Sequence, residues 1–240
     1  MNNWLLSYPR SGSHLLRYFI ELMTQRPTLG CRGNPQDTPI CKRRGIKLLK
    51  DVSKQNPIAQ KAHWVSEMSL SPQDGLIMII RYPIDALISE KLVKREHNDP
   101  REVHKFDDLL ISEIRKEILR YNENLNLYES FLGKKCIVKY EDLVSNNSYL
   151  DALVVVADFF EIDKKTVDRI ATNYHAYWCD SLEGPIRACQ SSSKNSKHEF
   201  SRSKELKARD PATHDQLMRL SESLLKHSII KALYPSTLDY

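Results

Sequence analysis

The sequence predicts one α/β domain in which helices flank both faces of a parallel sheet. Three stretches carry this prediction: an apolar segment, a polar turn and a helical pattern in residues 3–23; a continuous apolar run at 75–80 that leads into a second helical pattern; and a strand-like segment at 135–140. Continuous apolar runs are typical of parallel strands covered on both faces. At 240 residues with 41% apolar content, the chain suits one such domain over residues 1–240, or less readily two small ones.

The turn after the first strand is suited to binding an anion. Pro9 lacks an N–H group and ends the strand, and Gly12 permits a left-handed backbone. Ser11 and Ser13 are predicted N-cap residues for the helix that follows. The unpaired first amides of that helix, its dipole and the cationic Arg10 together predict a site for a phosphate-like group. The alternative is an ordinary strand–turn–helix connection.

This turn differs from the common nucleotide-binding loops. It has one Gly, no Gly-Lys pair and no G-x-G-x-x-G pattern, so neither a triphosphatase loop nor a dinucleotide fold is expected. Residues 8–13, Tyr-Pro-Arg-Ser-Gly-Ser, instead resemble the loop of sulfotransferases that binds the 5'-phosphosulfate of 3'-phosphoadenosine 5'-phosphosulfate (PAPS). The resemblance implies that this group is bound by Arg10, Ser11, Gly12, Ser13, His14 and Leu15. Arg10 is expected to act electrostatically, because a guanidinium does not give up its proton.

A lysine and a histidine two residues apart follow in the strand candidate at 58–64, where this spacing puts them on the same face. Lys61-Ala62-His63 resembles the Lys-Thr-His segment of cytosolic sulfotransferases. The resemblance implies that His63 is the general base for the acceptor and that Lys61 supports the transferring sulfuryl group. A pKa near 7 suits such a base. The alternative bases are His14, Asp51 and Glu67.

Arg81 follows the apolar run, at the carboxyl end of a predicted strand, where open α/β sheets bind ligands. Pro83 suits the first turn of the next helix, expected to reach about residue 96, and Ser89 lies two turns into it. The spacing resembles the 3'-phosphate motif of sulfotransferases, in which a Ser stands eight positions after the Arg. The resemblance implies that Arg81 and Ser89 bind the 3'-phosphate and so distinguish PAPS from ATP. The alternative is a salt-bridged Arg at a helix start.

The remaining chain supplies scaffold and weaker matches. Residues 107–131 are predicted to form a long scaffold helix with an apolar stripe. Tyr140, in Tyr-Glu-Asp-Leu, resembles the family residue that approaches the adenine. Lys194 and Lys197 lie in a polar loop near the position of the family's Arg-Lys-Gly clamp, and they are weaker candidates for the 3'-phosphate.

Further helices are expected at 149–160 and 164–174, followed by a terminal helix that starts at Asp210-Pro211. The basic segment 24–51 is interpreted as a solvated surface loop or as a lid that attracts an anionic acceptor.

Composition limits the possible partners. The net charge of +5 is mild and fits an enzyme for anionic ligands as well as a weak nucleic-acid binder. With the resemblance to sulfotransferases, we expect no nucleic-acid partner. Five cysteines without a C-x-x-C pair indicate reduced thiols, with neither a zinc site nor a redox dithiol. Because no signal peptide or membrane-spanning run is recognised, a cytoplasmic location is expected.

The motifs that resemble those of sulfotransferases occur in the same order as in that family and span residues 3–143. It implies a P-loop sulfotransferase-like fold and transfer of a sulfuryl group from PAPS to a hydroxyl or amine, with 3'-phosphoadenosine 5'-phosphate (PAP) as product and no metal. The acceptor is a small molecule, a glycan or a lipid, and the oligomeric state is left open. Two alternatives stay open: a non-catalytic relative that binds PAP, and a P-loop small-molecule kinase, which would need a Gly-Lys-Ser/Thr loop and magnesium ligands that are not evident.

Overall fold

A parallel five-stranded sheet forms the centre of the structure, a computed structural model that describes residues 2–33, 56–92, 108–145, 147–173 and 202–235. The strands are β1 (Asn3–Ser7), β2 (Thr28–Leu29), β3 (Ala59–Ala62), β4 (Gly75–Ile80) and β5 (Lys134–Lys139). Their spatial order is β2-β3-β1-β4-β5, and every neighbouring pair is parallel. The carboxyl ends of β3, β1 and β4 therefore lie side by side at one edge of the sheet.

Helices follow the strands on both faces. They are α1 (Ser13–Thr24), α2 (Pro83–Leu87), α3 (Asp108–Ser130), α4 (Tyr140–Val144), α5 (Tyr149–Phe160), α6 (Lys164–Thr172), α7 (Arg202–Arg209), α8 (Pro211–Leu220), α9 (Glu222–Leu225) and α10 (Ser228–Leu233). Short 3-10 turns cover Cys31–Gly33 and Val65–Glu67, and Ile88–Leu92 forms a π-helical turn directly after α2.

The sequence of β4 is apolar throughout because both faces of this strand are covered. Alternate side chains of a strand point to opposite faces of the sheet. Ile77 and Ile79 pack with α1, α5 and α6 on one face, whereas Met78 and Ile80 pack with α2, α3 and helices of the C-terminal region on the other. All six residues of β4 are buried, so the predicted parallel strand with two covered faces is confirmed.

Two elements end earlier than the sequence-based expectation or change their form. The strand predicted at 58–64 ends at Ala62, because Glu67 Oε2 accepts hydrogen bonds from the backbone amides of His63 and Trp64 and the chain turns there. The helix after Pro83 changes to a π-helical turn at Ile88, and the expected helix to residue 96 is described only to residue 92.

The expected terminal helix is divided into α8, α9 and α10. The last break comes at His227, whose ring accepts a hydrogen bond from the Ile229 amide and so caps α10. The sequence reading also missed α7. Lys194, Lys197 and most of the basic segment 24–51, including Asp51, lie outside the described residues.

Candidate functional site

The turn between β1 and α1 has two residues in the left-handed region. Arg10 has a φ of 65° and Gly12 a φ of 87°, and α1 starts immediately afterwards at Ser13. The helix N-cap is Gly12, and no side chain caps it, so the prediction that Ser11 or Ser13 is the N-cap is wrong. A left-handed N-cap suits glycine, which has no Cβ to clash with the backbone. The helix still presents its first amides at the turn, as an anion site requires.

Tyr140 packs directly on this turn. It is the first residue of α4, at the end of β5, and its ring lies so close to Gly12 that a Cβ added there would overlap Cδ2 and Cε2 of the tyrosine. The added Cβ would also stand 3.4 Å from Cδ1 of Ile79. Gly12 is therefore required both for its backbone conformation and for the approach of an aromatic ring.

Arg81 joins this cluster from the carboxyl end of β4. Its Nη1 donates a hydrogen bond to the Arg10 carbonyl at 3.1 Å, and its guanidinium carbon lies 5.0 Å from the centre of the Tyr140 ring. The Arg10 side chain itself is exposed. The Arg81 cation, the Tyr140 ring, the Arg10 backbone and the start of α1 thus meet where the sequence predicts nucleotide binding by residues 10, 81 and 140.

One half-buried and one buried carboxylate hold the segment that follows Arg81. Glu141 accepts a hydrogen bond from the Tyr82 amide at 2.9 Å, and burial raises the pKa of this glutamate. Asp85 accepts a hydrogen bond from the Ser203 amide of α7 at 2.7 Å. Ser89, the second residue predicted to bind the 3'-phosphate, is buried in the π-helical turn. A π-helical turn in this position is notable because such turns occur often at functional sites.

His63 lies just beyond β3, beside the end of β1. Its Nδ1 stands 2.8 Å from the Ser7 carbonyl oxygen. Because a carbonyl only accepts hydrogen bonds, Nδ1 carries the proton of the neutral ring, and we assign the free electron pair to Nε2. This is the tautomer that a base acting through Nε2 needs.

The pKa of His63 is lower than the expected value near 7. Burial lowers its pKa to about 4, and the positive charges of Lys61 and, more weakly, His14 act in the same direction. The imidazole is therefore neutral at physiological pH. Lys61 is buried within β3, in register with Leu5 of β1, whereas His14 is exposed in the first turn of α1. Glu67, an alternative base, instead accepts a hydrogen bond from the His63 amide at 2.7 Å.

The long helix α3 brings to the site residues that the sequence reading assigned to scaffold. The Tyr121 hydroxyl donates to the Arg81 carbonyl at 2.8 Å, and its ring stacks on Tyr8 at 4.7 Å. Asn124 Nδ2 donates to the His63 carbonyl at 2.9 Å. A sequence signal existed: Asn124 is a polar residue that follows Tyr121 by three positions, beside the apolar stripe of the helix.

Neither a metal-binding cluster nor a membrane-spanning helix occurs in the described ranges. They contain no group of three or more His, Cys, Asp or Glu side chains placed to hold a metal ion. None of the helices described there is both long and apolar enough to span a bilayer.

Known structures similar to this chain have low sequence identity to it. A retinol dehydratase in complex with retinol and PAP matches with a TM-score of 0.52 and 13% identity, over 94% of this chain and 81% of its own. A mouse sulfotransferase complexed with PAP has a TM-score of 0.48 and 15% identity, covering 92% of this chain and 88% of its own. A sulfotransferase domain from the curacin biosynthetic pathway has a TM-score of 0.47 and 16% identity, covering 78% and 81%.

No protein-family model matches the chain, and no curated protein matches it significantly in sequence. At these identities the structural likeness bears on the fold alone, and the expected parallel sheet flanked by helices is confirmed. The chain has the α/β fold of the PAPS-dependent sulfotransferases.

Proposed function

We propose that this protein is a sulfotransferase that moves a sulfuryl group from PAPS to an acceptor hydroxyl or amine and releases PAP. One observation carries the proposal: the groups predicted for the two halves of the reaction lie at the carboxyl ends of three adjacent strands and are linked there. Arg81, after β4, bonds to the Arg10 carbonyl after β1, and His63, after β3, bonds to the Ser7 carbonyl of β1. Ligands of open parallel sheets bind at this edge.

The residues around the turn suit the anionic end of PAPS. Arg10 is exposed beside the start of α1, and the Ser11 hydroxyl is buried without a hydrogen-bond partner among the described residues. A buried hydroxyl in that state is a donor left for a ligand or a water molecule. We assign the 5'-phosphosulfate to Arg10, the Ser11 and Ser13 hydroxyls and the amides of residues 12–15, which suit an anion through their charge and dipole.

The nucleotide end is assigned to the neighbouring cluster. Arg81 is half-buried, so its charge is less screened than that of an exposed arginine, and with Ser89 it would hold the 3'-phosphate. Tyr140 would contact the adenine, since it presents an aromatic ring next to Gly12. Lys194 and Lys197 stay predictions for the same phosphate.

PAPS supplies a sulfuryl group already activated by its bond to a phosphate leaving group. In the protein, His63 Nε2 would accept the acceptor's proton. Burial first, and the nearby charge of Lys61 second, lower the pKa of that ring and keep it neutral. Direct support of the sulfuryl group by Lys61 stays a prediction. Arg10 and the start of α1 would stabilise the negative charge that develops on the leaving phosphate.

The acceptor class proposed is a small molecule, glycan or lipid with a hydroxyl or amine. A cytoplasmic location is proposed with it, because five cysteines without a C-x-x-C pair suit a reducing compartment.

Radiolabelled PAPS incubated with acceptor extracts, with labelled products identified by mass spectrometry, tests the activity. The proposal expects labelled products with the wild-type protein and about 10²–10⁴-fold slower labelling with His63→Asn, the usual contribution of a positioned base. A protein that binds PAP and labels nothing is the non-catalytic relative. Transfer of labelled phosphate from ATP would point to a kinase and contradict the proposal.

A further inference from the structure

A single turn of α3 contacts the ends of all three strands that carry the proposed site. Asn124 bonds to the His63 carbonyl just after β3, and Tyr121 bonds to the Arg81 carbonyl just after β4. The Tyr121 ring also stacks on Tyr8, just after β1. Both Tyr121 and Asn124 are fully buried. This turn thus touches the base side and the nucleotide side through two separate side chains.

We propose that Asn124 is a positioning residue for His63, and that Tyr121 separately positions Arg81. The inference rests on the proposed function, in which His63 is the base and Arg81 binds the 3'-phosphate. In this arrangement α3 holds the two halves of the site at a fixed separation, and each half depends on a different residue of the helix.

Three contacts fix His63 from three directions. Asn124 Nδ2 holds its carbonyl at 2.9 Å, Glu67 Oε2 holds its amide at 2.7 Å, and the Ser7 carbonyl lies 2.8 Å from ring Nδ1. The residue lies outside the ladder of β3, so the sheet itself does not set its orientation. Loss of the Asn124 contact releases the backbone at the point where the ring is attached, and the ring then leaves the Ser7 carbonyl.

Packing alone does not account for Asn124. Its Oδ1 is buried and has no hydrogen-bond partner among the described residues. A buried amide oxygen in that state is unfavourable, and a leucine of similar size would fill the space without that cost. What the asparagine supplies and leucine lacks is the hydrogen bond from Nδ2 to His63.

The ring and the hydroxyl of Tyr121 make different contacts, which can be tested separately. Its ring packs on Tyr8, and its hydroxyl bonds to Arg81. Replacement by phenylalanine retains the stacked ring and removes the bond that holds the Arg81 backbone. Because Arg81 is also tied to the Arg10 carbonyl, a shift of its backbone moves its guanidinium relative to the turn.

The pKa of His63 provides a test that needs no acceptor, because the charged groups that act on this ring are identified. They are Lys61, Glu67 and His14, and neither Asn124 nor Tyr121 carries a charge at neutral pH. Burial raises the pKa of the Tyr121 phenol further. A change in the titration of His63 in an Asn124 variant therefore reports movement of the ring and not the loss of a charge.

The experiment measures two quantities in each variant: the His63 ring titration and tautomer by NMR with isotope-labelled histidine, and the affinity for PAP by calorimetry. His63→Asn identifies the His63 signals. For Asn124→Leu we expect the pKa of His63 to rise from about 4 toward 6.5 and the single tautomer to be lost, with PAP affinity unchanged. For Tyr121→Phe we expect at least about threefold weaker PAP binding with the His63 titration unchanged, because one neutral hydrogen bond is lost. Asn122→Leu, a half-buried asparagine of the same helix, is the matched control and should change neither quantity.

An unchanged titration and tautomer in Asn124→Leu would overturn the role of Asn124, and unchanged PAP affinity in Tyr121→Phe would overturn that of Tyr121. Changes in both quantities in both variants would indicate a general loss of structure and also overturn the inference. If Asn124→Leu does not fold, Asn124→Ser, which is smaller, carries the same measurement. Failure of the proposed function gives a different result. The wild-type protein would then not bind PAP, while Asn124→Leu would still change the His63 titration.

Discussion

Gly12 shows how much of the proposed site depends on one residue. Its positive φ and the Tyr140 ring above it are separate constraints. Gly33 provides a matched comparison, because it has a φ of 74° but nothing within 4 Å of an added Cβ. The difference between alanine variants at the two positions therefore measures the contact with Tyr140.

We predict that Gly33→Ala lowers the free energy of unfolding by roughly 1–2 kcal/mol, the cost of a left-handed L-residue. Gly12→Ala should lose about 1–3 kcal/mol more, since the added methyl group displaces an aromatic ring. Urea unfolding of the two variants provides the comparison. Equal losses would show that Tyr140 does not press on the turn.

His63 makes a prediction about pH. Its pKa is about 4 in the folded protein and 6.5 as a free side chain, so the unfolded chain binds more protons between these values. Stability should therefore fall as the pH decreases from about 7 to about 4, with up to about 3 kcal/mol due to this residue.

The measurement is the free energy of unfolding of wild type and His63→Asn across this pH range. The variant should be less sensitive to pH, because its side chain takes up no proton. Parallel curves for the two proteins would contradict the low pKa of His63.

At the scale of elements, the edge strand β2 depends on a buried polar network with α1. Glu21 Oε1 accepts a hydrogen bond from the Thr28 amide at 3.1 Å and another from its hydroxyl. Arg17 Nε donates to the same Thr28 hydroxyl oxygen at 2.8 Å. All three residues are buried, so removal of the arginine takes away the cation that bonds to the buried Thr28–Glu21 pair.

Arg17→Leu is predicted to destabilise the protein by about 3–5 kcal/mol, the usual loss when one member of a buried charged group is removed. Arg26 provides the control: it bonds to the Asn56 carbonyl at 2.9 Å in an exposed setting, and Arg26→Leu should cost about 1 kcal/mol. Thermal or urea unfolding distinguishes the two. A loss for Arg17→Leu as small as that for Arg26→Leu would contradict the buried network.

The elements most readily predicted from sequence were those with an unbroken local signal. The run at 75–80 is apolar because both faces of β4 are covered, and the Gly12 turn is marked by Pro9 before it and a helical pattern after it. The breaks among α8, α9 and α10 left no comparable signal, because the apolar spacing continues through them.

The site was predicted less completely, because its contacts join residues far apart in the chain. Tyr140 was assigned to the nucleotide, but its approach to Gly12 is a contact across the sheet that no local pattern records. The lowered pKa of His63 arises from burial, which depends on how the whole domain packs. Asn124 was overlooked because an amphipathic helix with a good apolar stripe already has a sufficient structural explanation.

At the scale of the whole molecule, the sheet brings three strand ends together, and α3 packs across them. Apolar cores pack on both faces of the sheet. A nucleotide with a 3'-phosphate is expected to bind there, since Arg81 is a cation held beside the turn.

Calorimetry of PAP and AMP binding shows whether the site recognises a 3'-phosphate, the one group by which the two nucleotides differ. One charge-assisted phosphate contact contributes roughly 1.5–3 kcal/mol, so we predict that PAP binds at least about tenfold more tightly than AMP. Arg81→Ala should remove most of this difference, while Arg26→Ala should leave it unchanged. Equal affinity of the wild-type protein for the two nucleotides, or no binding of either, would contradict the account.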